Sequence, residues 1–385
     1  MRLVVLKFGG TSVADVPQIK KIALKIKAEV KKGNKVIAVV SAMSGVTNNL
    51  IDQVKKISEN FPYSEYDTVV SSGEQVTSAL LSIALEELSI KARSWLGWQV
   101  PIITDDIYGK AVIKNIETAN ISKSLENGFV AIVSGFQGVS NNNRITTLGR
   151  GGSDTSAVAL AAAFSADRCD IYTDVDGVYT SDPKITSKVK KLNKVSYEEM
   201  IEMASQGAKV LQTASVESAM SKNVNVQVRS TFKPNEEGTE ISIDGEGEIL
   251  RAVTGVAYSK DEAKITIIDL VDEPGIAAKI FNKLSDDSIN VDMIVQNNFI
   301  ERKMTNLTFT IPMGDLKKSI LILDKLKDQI EFSRIISEDN LSKVSIIGSG
   351  MRNQPGIAAK MFQCLSEQNI NIEVISTSEI KVSVL

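Results

Sequence analysis

The stretch "RLVVLKFGGTSVADVPQIKKIALKIKAEVKKGNKVIAVVS", residues 2–41, contains a complete folding unit. "RLVVLKF" and "KVIAVVS" are apolar, β-rich runs that end in Gly or Ser, as expected of parallel strands buried on both faces. Between them "DVPQIKKIALKIKAEVKKG" repeats apolar residues at helical spacing, turns lysines outward and stops at Gly33. This predicts a βαβ unit. "GFVAIVSGF" (128–136) and "CDIYTDVDGV" (169–178) read as further strands of the same kind. Ligands of such sheets sit at the carboxyl ends of the strands, which directs attention to the loops after Leu6, Val40, Val133 and Tyr172.

The chain has 385 residues, enough for two or three domains, with 43 % apolar and 24 % charged residues. Its 44 basic and 47 acidic residues give a net charge of −3, which offers no footprint for nucleic acid or an acidic membrane surface. No apolar run approaches a bilayer span, and Lys7 interrupts the first one, so neither membrane insertion nor a signal peptide is expected. Two cysteines, Cys169 and Cys364, suit a reducing cytoplasm better than a disulfide framework. Histidine is absent, which excludes Ser-His-Asp and Cys-His chemistry and every His-ligated metal site. Phosphoryl transfer remains open, because it runs on positioning and charge stabilisation.

A repeat marks the second half. "PGIAAKIFNKLSDDSINVDMIVQ" from Pro274 returns as "PGIAAKMFQCLSEQNINIEVIST" from Pro355, an offset of 81 residues. The first copy reads β-α-β-β-α-β, a small ferredoxin-like unit. The second stops at Leu385 after "EIKVSVL", so it is expected to lack a last helix and strand, with "LRAVTGVAYS" (250–259) the candidate to complete its sheet.

Several loops carry chemistry. "TTLGRGGSDTSAVALAAA" (146–163) sets three glycines ahead of an apolar helix, where free N–H groups can seat an anion; a glycine turn capped by Asp154 is the plainer reading. "KFGGTS" (7–12) places Lys7 beside two glycines and two hydroxyls able to hold phosphate oxygens, yet it is also an ordinary strand–helix turn, and it is not a Walker A loop. In "SAMSGVTNNL" (41–50) and "SSGEQVTSALL" (71–81) simple helix capping competes with ligand binding for Thr47 and Glu74. Turn chemistry accounts for Asp174 and Asp176 in "YTDVDGVYTSDPK" (172–184) more cheaply than metal ligation.

In their order, "KFGGTS", "SAMSGVT", "SSGE", "GFQG", "TTLGRGGSDT", "YTDVDGVYTSDP", "GAKVL" and the repeated "PGIAAK" resemble aspartate kinase over nearly the whole chain. The resemblance implies an α/β amino-acid-kinase three-layer sandwich with a mostly parallel sheet at 1–245. Two ferredoxin-like ACT units would follow, 246–340 with a linker strand and 341–385 incomplete. It implies ATP-dependent phosphorylation of the L-aspartate side chain to 4-phospho-L-aspartate, the first step toward lysine, threonine, methionine and diaminopimelate. Lysine and/or threonine would regulate it through the ACT units.

Residue by residue, the resemblance makes Lys7, Asp154 and Lys209 catalytic. Lys7 would neutralise the transferring phosphoryl group, and Asp154 would orient Lys7 and Lys209. ATP would meet Lys7, Phe8, Gly9, Gly10, Ser41, Thr173, Asp174, Tyr179, Lys184 and Lys209. Aspartate would meet Thr47, Glu74 through its ammonium, Arg150 through a carboxylate, and Gly151, Gly152 and Ser153. Mg²⁺ would come with ATP, without an assigned protein ligand. Effector candidates are Asp272, Pro274, Gly275, Ile276, Ala277, Asn290, Val291, Asp292, Met293 and Gln296, with Asn371 and Glu379; the plainer alternative is that they only build the ACT–ACT interface. A homo-oligomer joined through the ACT units, dimer or tetramer, is expected in the cytoplasm.

Four features depart from the pattern: Gln212-Thr213-Ala214 for a His-Pro and a basic residue, Asn48-Asn49 for acids, Lys184 for Arg, and the early stop. Kinases of the same fold acting on glutamate, acetylglutamate or a nucleotide are disfavoured by "SSGE" and the repeats. A silent amino-acid sensor is disfavoured by intact Lys7, Glu74, Arg150 and Asp154.

Overall fold

The structure is a computed structural model. It describes residues 2–208, 210–233, 236–243, 245, 252–299 and 304–385. The chain divides into two units, residues 1–205 with 209–249, and residues 206–208 with 250–385.

The first unit opens with β1 (Leu3–Phe8), α1 (Val16–Lys31) and β2 (Lys35–Val40), the βαβ unit that the sequence predicts. Asp15 caps α1 by accepting from the Gln18 N–H at 2.8 Å, and Pro17 occupies a first-turn position where no N–H is missed. Then come α2 (Val46–Ile57), α3 (Tyr63–Val70), α4 (Ser72–Glu87), β3 (Ala92–Trp95), β4 (Ile102–Thr104), β5 (Ile113–Ile116) and α5 (Ala119–Glu126). They are followed by β6 (Val130–Ser134), β7 (Gln137–Ser140), β8 (Ile145–Thr147), α6 (Gly152–Ala163) and β9 (Arg168–Thr173). The unit closes with β10 (Lys194–Ser196), α7 (Tyr197–Ser205), α8 (Thr213–Ser221), β11 (Val226–Ser230) and β12 (Thr239–Ser242).

Eight strands form the central sheet in the order β10-β12-β11-β9-β1-β2-β6-β3. Among these pairs only β11–β12 is antiparallel. On one face, Ile19, Ile22, Ala23 and Ile26 of α1 join Leu81, Ala84 and Leu85 of α4 over β1, β2 and β6. The i, i+3, i+4, i+7 spacing on α1 is the apolar stripe that buries it, and each large side chain contributes about 1.5–3 kcal/mol. α6 is apolar on every side from Ala157 on and buried from Gly152 through Ala161 apart from Thr155, which suits a helix packed inside the unit against β1, β2 and β9. A small second sheet, β5-β4-β7-β8, was not foreseen; its strands have only three or four residues.

The second unit comprises β13 (Gly255–Val271), α9 (Ile276–Asp286), β14 (Ile294–Phe299), β15 (Met304–Ile311), α10 (Leu316–Leu326), β16 (Arg334–Ile347), α11 (Ile357–Glu367), β17 (Ile375–Thr377) and β18 (Lys381–Val384). Its six-stranded sheet runs β14-β15-β13-β16-β18-β17 with antiparallel pairs, so the two copies meet at β13 and β16. Each long strand serves both. The far end of β13, near Lys264–Ile268, pairs with residues 334–338, while its near end, Gly255–Ser259, pairs with Lys343–Ile347 of the second copy. The stretch singled out at 250–259 therefore flanks the second copy's first strand, and its Leu250 and Arg251 lie outside the described residues.

Charges strap the copies together. Lys264 of the first copy reaches Glu373 of the second at 2.8 Å, and Lys343 of the second reaches Asp292 of the first. Asp292 and Glu373 are equivalent positions, 81 residues apart. Lys343 also pairs with buried Glu262 at 3.0 Å. Burial opposes its charge, but the two carboxylates outweigh burial and leave its pKa raised. Replacing Lys343 by Ala strands Glu262 without a countercharge, so urea unfolding of the full chain is expected to show a loss of about 3 kcal/mol. A loss below about 1 kcal/mol, the worth of an exposed ion pair, would show that the strap is ornamental.

Candidate active site

The site is assembled at the carboxyl ends of β1, β2, β6 and β9, as a parallel sheet dictates. Lys7, the penultimate residue of β1, turns its ammonium to Asp154 Oδ1 at 2.6 Å, and both side chains are nearly buried. Asp154 stands in the first turn of α6 but does not cap it; Gly151 occupies the cap position. Gly9 donates its N–H to the Tyr172 carbonyl at 3.2 Å, which ties "KFGGTS" to the end of β9. Ser12 Oγ lies 2.5 Å from Thr231 Oγ1 and so is engaged within the protein. Phe8 is fully buried and stacks on Tyr172 at 5.0 Å, so it backs the site and does not face it.

Glu74 sits in the first turn of α4 and is 3 % exposed. Its Oε1 accepts from the Ala42 N–H at 3.0 Å, across to the "SAMSGVT" loop, and Oε2 is buried with no hydrogen-bond partner among the described residues. Burial pushes its carboxyl up to about 7, against the pull of the Ala42 N–H. Gly73 makes the approach possible, since a Cβ there would fall 2.7 Å from the Ala42 Cβ. Thr47 is half-buried in the first turn of α2, and Ser41 donates its N–H to the Phe8 carbonyl at 3.1 Å. The hydroxyl of Ser134 bonds the Glu74 carbonyl at 3.3 Å, bringing the end of β6 into the same group.

The "GRGGSD" turn holds Arg150 exposed, with Gly152 and Ser153 buried at the head of α6. Gly151 has φ +75°, and a Cβ on it would overlap Gln212, whose Cγ is 2.1 Å away. Glycine is thus required twice over, by backbone and by space. Gln212, one of the departures noted in the sequence, is therefore a direct neighbour of this turn. Lys209 lies outside the described residues.

On the β9 side, Thr173 Oγ1 donates to Asp174 Oδ1 at 3.0 Å. Tyr179 OH donates to Asp176 Oδ1 at 2.9 Å and Lys233 reaches Asp176 Oδ2 at 2.9 Å, holding that carboxyl well below its usual range despite some burial. Lys184 is exposed, and its N–H donates to Asp182 Oδ1 at 2.8 Å. Lys7 pairs with Asp154, Gly9 is tied to Tyr172, Glu74 is tied to Ala42 and Ser134, and Tyr179 and Lys184 belong to the loop after β9.

One residue escaped the sequence reading. Asp67, fully buried on α3, accepts from the Gly109 N–H at 2.9 Å, the Thr147 N–H at 2.9 Å and the Thr147 hydroxyl at 2.7 Å. It anchors the strand that leads into "GRGGSD". Burial raises its pKa, against these three hydrogen bonds. The available signal was spacing, since Asp67 precedes buried Val70 by three residues and shares its helix face.

In the second unit the effector candidates separate. Gln296 bonds Asp272 at 3.4 Å near the start of α9, where Pro274 and Ala277 are exposed, Gly275 has φ +93° and Ile276 is buried. Asn290 is exposed, Val291 half-buried and Met293 buried, and Asp292 is engaged by Lys343. Asn371 bonds Glu373 at 3.1 Å, and Glu379 pairs with Arg352 at 3.2 Å.

The sequence profile of the amino acid kinase family matches residues 2–230, and that of the ACT domain matches residues 265–326 and 344–385. An aspartokinase of Pseudomonas aeruginosa is 48 % identical over 387 residues, covering 100 % of this chain and 93 % of the relative. The chain belongs to the aspartate kinases. Its fold also matches E. coli aspartokinase III solved with aspartate and ADP in the R-state, at 26 % identity and TM-score 0.83, covering 99 % of this chain and 95 % of that one. The same enzyme solved with lysine and aspartate in the T-state matches with TM-score 0.76 at 26 % identity and the same coverage. As an aspartate kinase the chain is a nucleotide-using phosphotransferase with ACT domains suited to allosteric control, and no helix among the described residues is long and apolar enough to cross a membrane.

Glu74 gives the site a pH signature. Because its folded value is raised from 4.5 to about 7, the folded chain keeps a proton that the unfolded chain has released in that window. Its contribution therefore weakens stability progressively from pH 4.5 to about 7 and is constant above. In urea unfolding, the stability of Glu74→Gln relative to the parent should grow by up to about 3 kcal/mol across this window. A pH-independent difference would mean that Glu74 is ionised in the folded chain throughout.

Proposed function

We propose that the Lys7–Asp154 group and Glu74 carry the transfer of the ATP γ-phosphoryl group to the side-chain carboxylate of L-aspartate. The observation that carries this reading is the buried Glu74 Oε2, with no partner among the described residues, on a carboxyl whose other oxygen is held by the Ala42 N–H. An α-ammonium beside it would draw the proton off the carboxyl and replace an uncompensated buried charge with an ion pair. Arg150, exposed beside the glycine turn, would grip a substrate carboxylate in two-pronged fashion.

The reaction then proceeds by in-line displacement. An oxygen of the aspartate side-chain carboxylate, already ionised at neutral pH, forms the new P–O bond as the bond from γ-phosphorus to the β,γ-bridging oxygen breaks. The products are the acyl phosphate and ADP, and no proton need be removed from the nucleophile. Lys7 would offset charge on the equatorial oxygens, with Gly10 donating its N–H and Gly9, its own N–H held by the Tyr172 carbonyl, leaving room beside them. Asp154 would hold Lys7 in line; the 2.6 Å ion pair supports that role. Lys209 would act beside them, with Ser41, Thr173, Asp174, Tyr179 and Lys184 on the nucleotide side and buried Phe8 behind them. Thr47, Gly151, Gly152 and Ser153 would line the aspartate side. Mg²⁺ would enter on the phosphate oxygens of ATP.

The catalytic part would span 1–245 and the ACT units 246–340 and 341–385. The ACT units would take lysine and/or threonine at Asp272, Pro274, Gly275, Ile276, Ala277, Asn290, Val291, Asp292, Met293 and Gln296, with Asn371 and Glu379, in a cytoplasmic homo-oligomer. The lysine complex of the E. coli relative supports the first effector.

Trapping the acyl phosphate with hydroxylamine tests the assignment. Aspartate-dependent hydroxamate is expected, and lysine or threonine should suppress it. Lys7→Met should lower kcat by about a hundredfold or more. Arg150→Lys should raise KM for aspartate about tenfold at nearly constant kcat. Full activity in Lys7→Met, or hydroxamate formed equally from glutamate, would overturn these roles.

A further inference from the structure

We infer that the edge of the central sheet holds a second small-molecule site, for an anion that carries a flat ring. Beside β3, the edge strand paired only to β6, an open cavity of about 690 Å³ lies between that strand, the turn after it and α5. Its volume is that of ordinary ligand sites. None of the residues around it belongs to the candidate active site.

The chemistry of its walls is selective. Both tryptophans of the chain line it, together with Phe129. Trp98 is 48 % exposed, unusual for so large an apolar surface without a partner. Trp95 is 3 % exposed and its indole N–H, buried, donates to nothing among the described residues. An unpaired buried donor costs stability unless a ligand or solvent answers it. Arg93 holds its guanidinium 4.0 Å from the centre of the Trp95 ring, and Lys123 approaches from α5. No carboxylate lines the cavity, and neither cation joins an ion pair among the described residues.

Exposed Trp98 and half-buried Phe129 to stack on, with two unneutralised cations beside them, together specify a planar ring with a carboxylate or phosphate attached. The aromatic walls take the ring, and Arg93, whose flat fork suits such acids, takes the charge with Lys123. A neutral aromatic leaves the cations unpaired, and a bare anion leaves the ring surfaces exposed. Both features are therefore required of the ligand.

The two tryptophans also report on the site. Phenyl phosphate titrated into the full-length protein should change their emission saturably, with a Kd below about 1 mM, and calorimetry should return the same constant. Inorganic phosphate and benzyl alcohol, each lacking one half of the chemistry, should bind at least about tenfold more weakly. Benzoate tested alongside distinguishes a carboxylate ligand from a phosphate ligand. Arg93→Gln and Lys123→Gln, both at exposed positions, should each weaken phenyl phosphate about tenfold while kcat for aspartate stays unchanged. The inference falls if neither phenyl phosphate nor benzoate binds below about 10 mM, or if inorganic phosphate binds as well as phenyl phosphate. It falls equally if the variants bind as the parent does. Emission that follows protein concentration and ignores every probe would make this face a contact between copies, and also overturn it.

Discussion

A lysine ammonium and an aspartate carboxylate held 2.6 Å apart at the end of a buried strand organise the catalytic unit. Neither could be buried alone, because an isolated charge in an apolar interior is too costly. The strand supplies Lys7 and the helix supplies Asp154, so β1 and α6 must meet in one register. The glycine turn before α6 exists to let that helix begin where it does. Gly151, with its left-handed backbone and Gln212 pressed against it, leaves the turn no alternative conformation that accepts a side chain.

Around this pair the protein tolerates polar burial that would be a fault elsewhere. Glu74 is half-satisfied, its carboxyl pushed up to about 7 by burial. Asp67 is as deeply buried but fully bonded, and it fastens the approach to the glycine turn. The contrast separates two uses of a buried acid. One has both oxygens bonded, to two backbone N–H groups and a threonine hydroxyl, and serves architecture; the other leaves an oxygen unanswered, which is the chemistry a cationic substrate group can use.

Much of this was legible in the sequence because parallel strands write themselves plainly. β2 and β6 are buried apolar runs, β1 is broken only by Lys7 and β9 only by Arg168 and Asp170, and each ends in a loop of the candidate site. The repeat at Pro274 and Pro355 was equally plain. What stayed hidden lacked periodicity. The strands of the small sheet are three or four residues long, and "IKNI" in β5 alternates nothing recognisable. Asp67 looked like one more surface acid, since a single sequence shows spacing but not the loop folded against it. The cavity beside β3 depends on residues from positions 93 to 129, a separation over which composition says little about proximity.

The sharing of β13 and β16 bears on how the regulatory half can change over evolutionary time. The second copy takes a flanking strand, residues 255–259, from the chain on the far side of the first. Excising the first copy would take that strand with it, and trimming the second would leave residues 255–259 without their partner. The pair is thus inherited as a single module. Each copy can drift in its loops and helix faces, but neither can be lost, transplanted or duplicated without its twin.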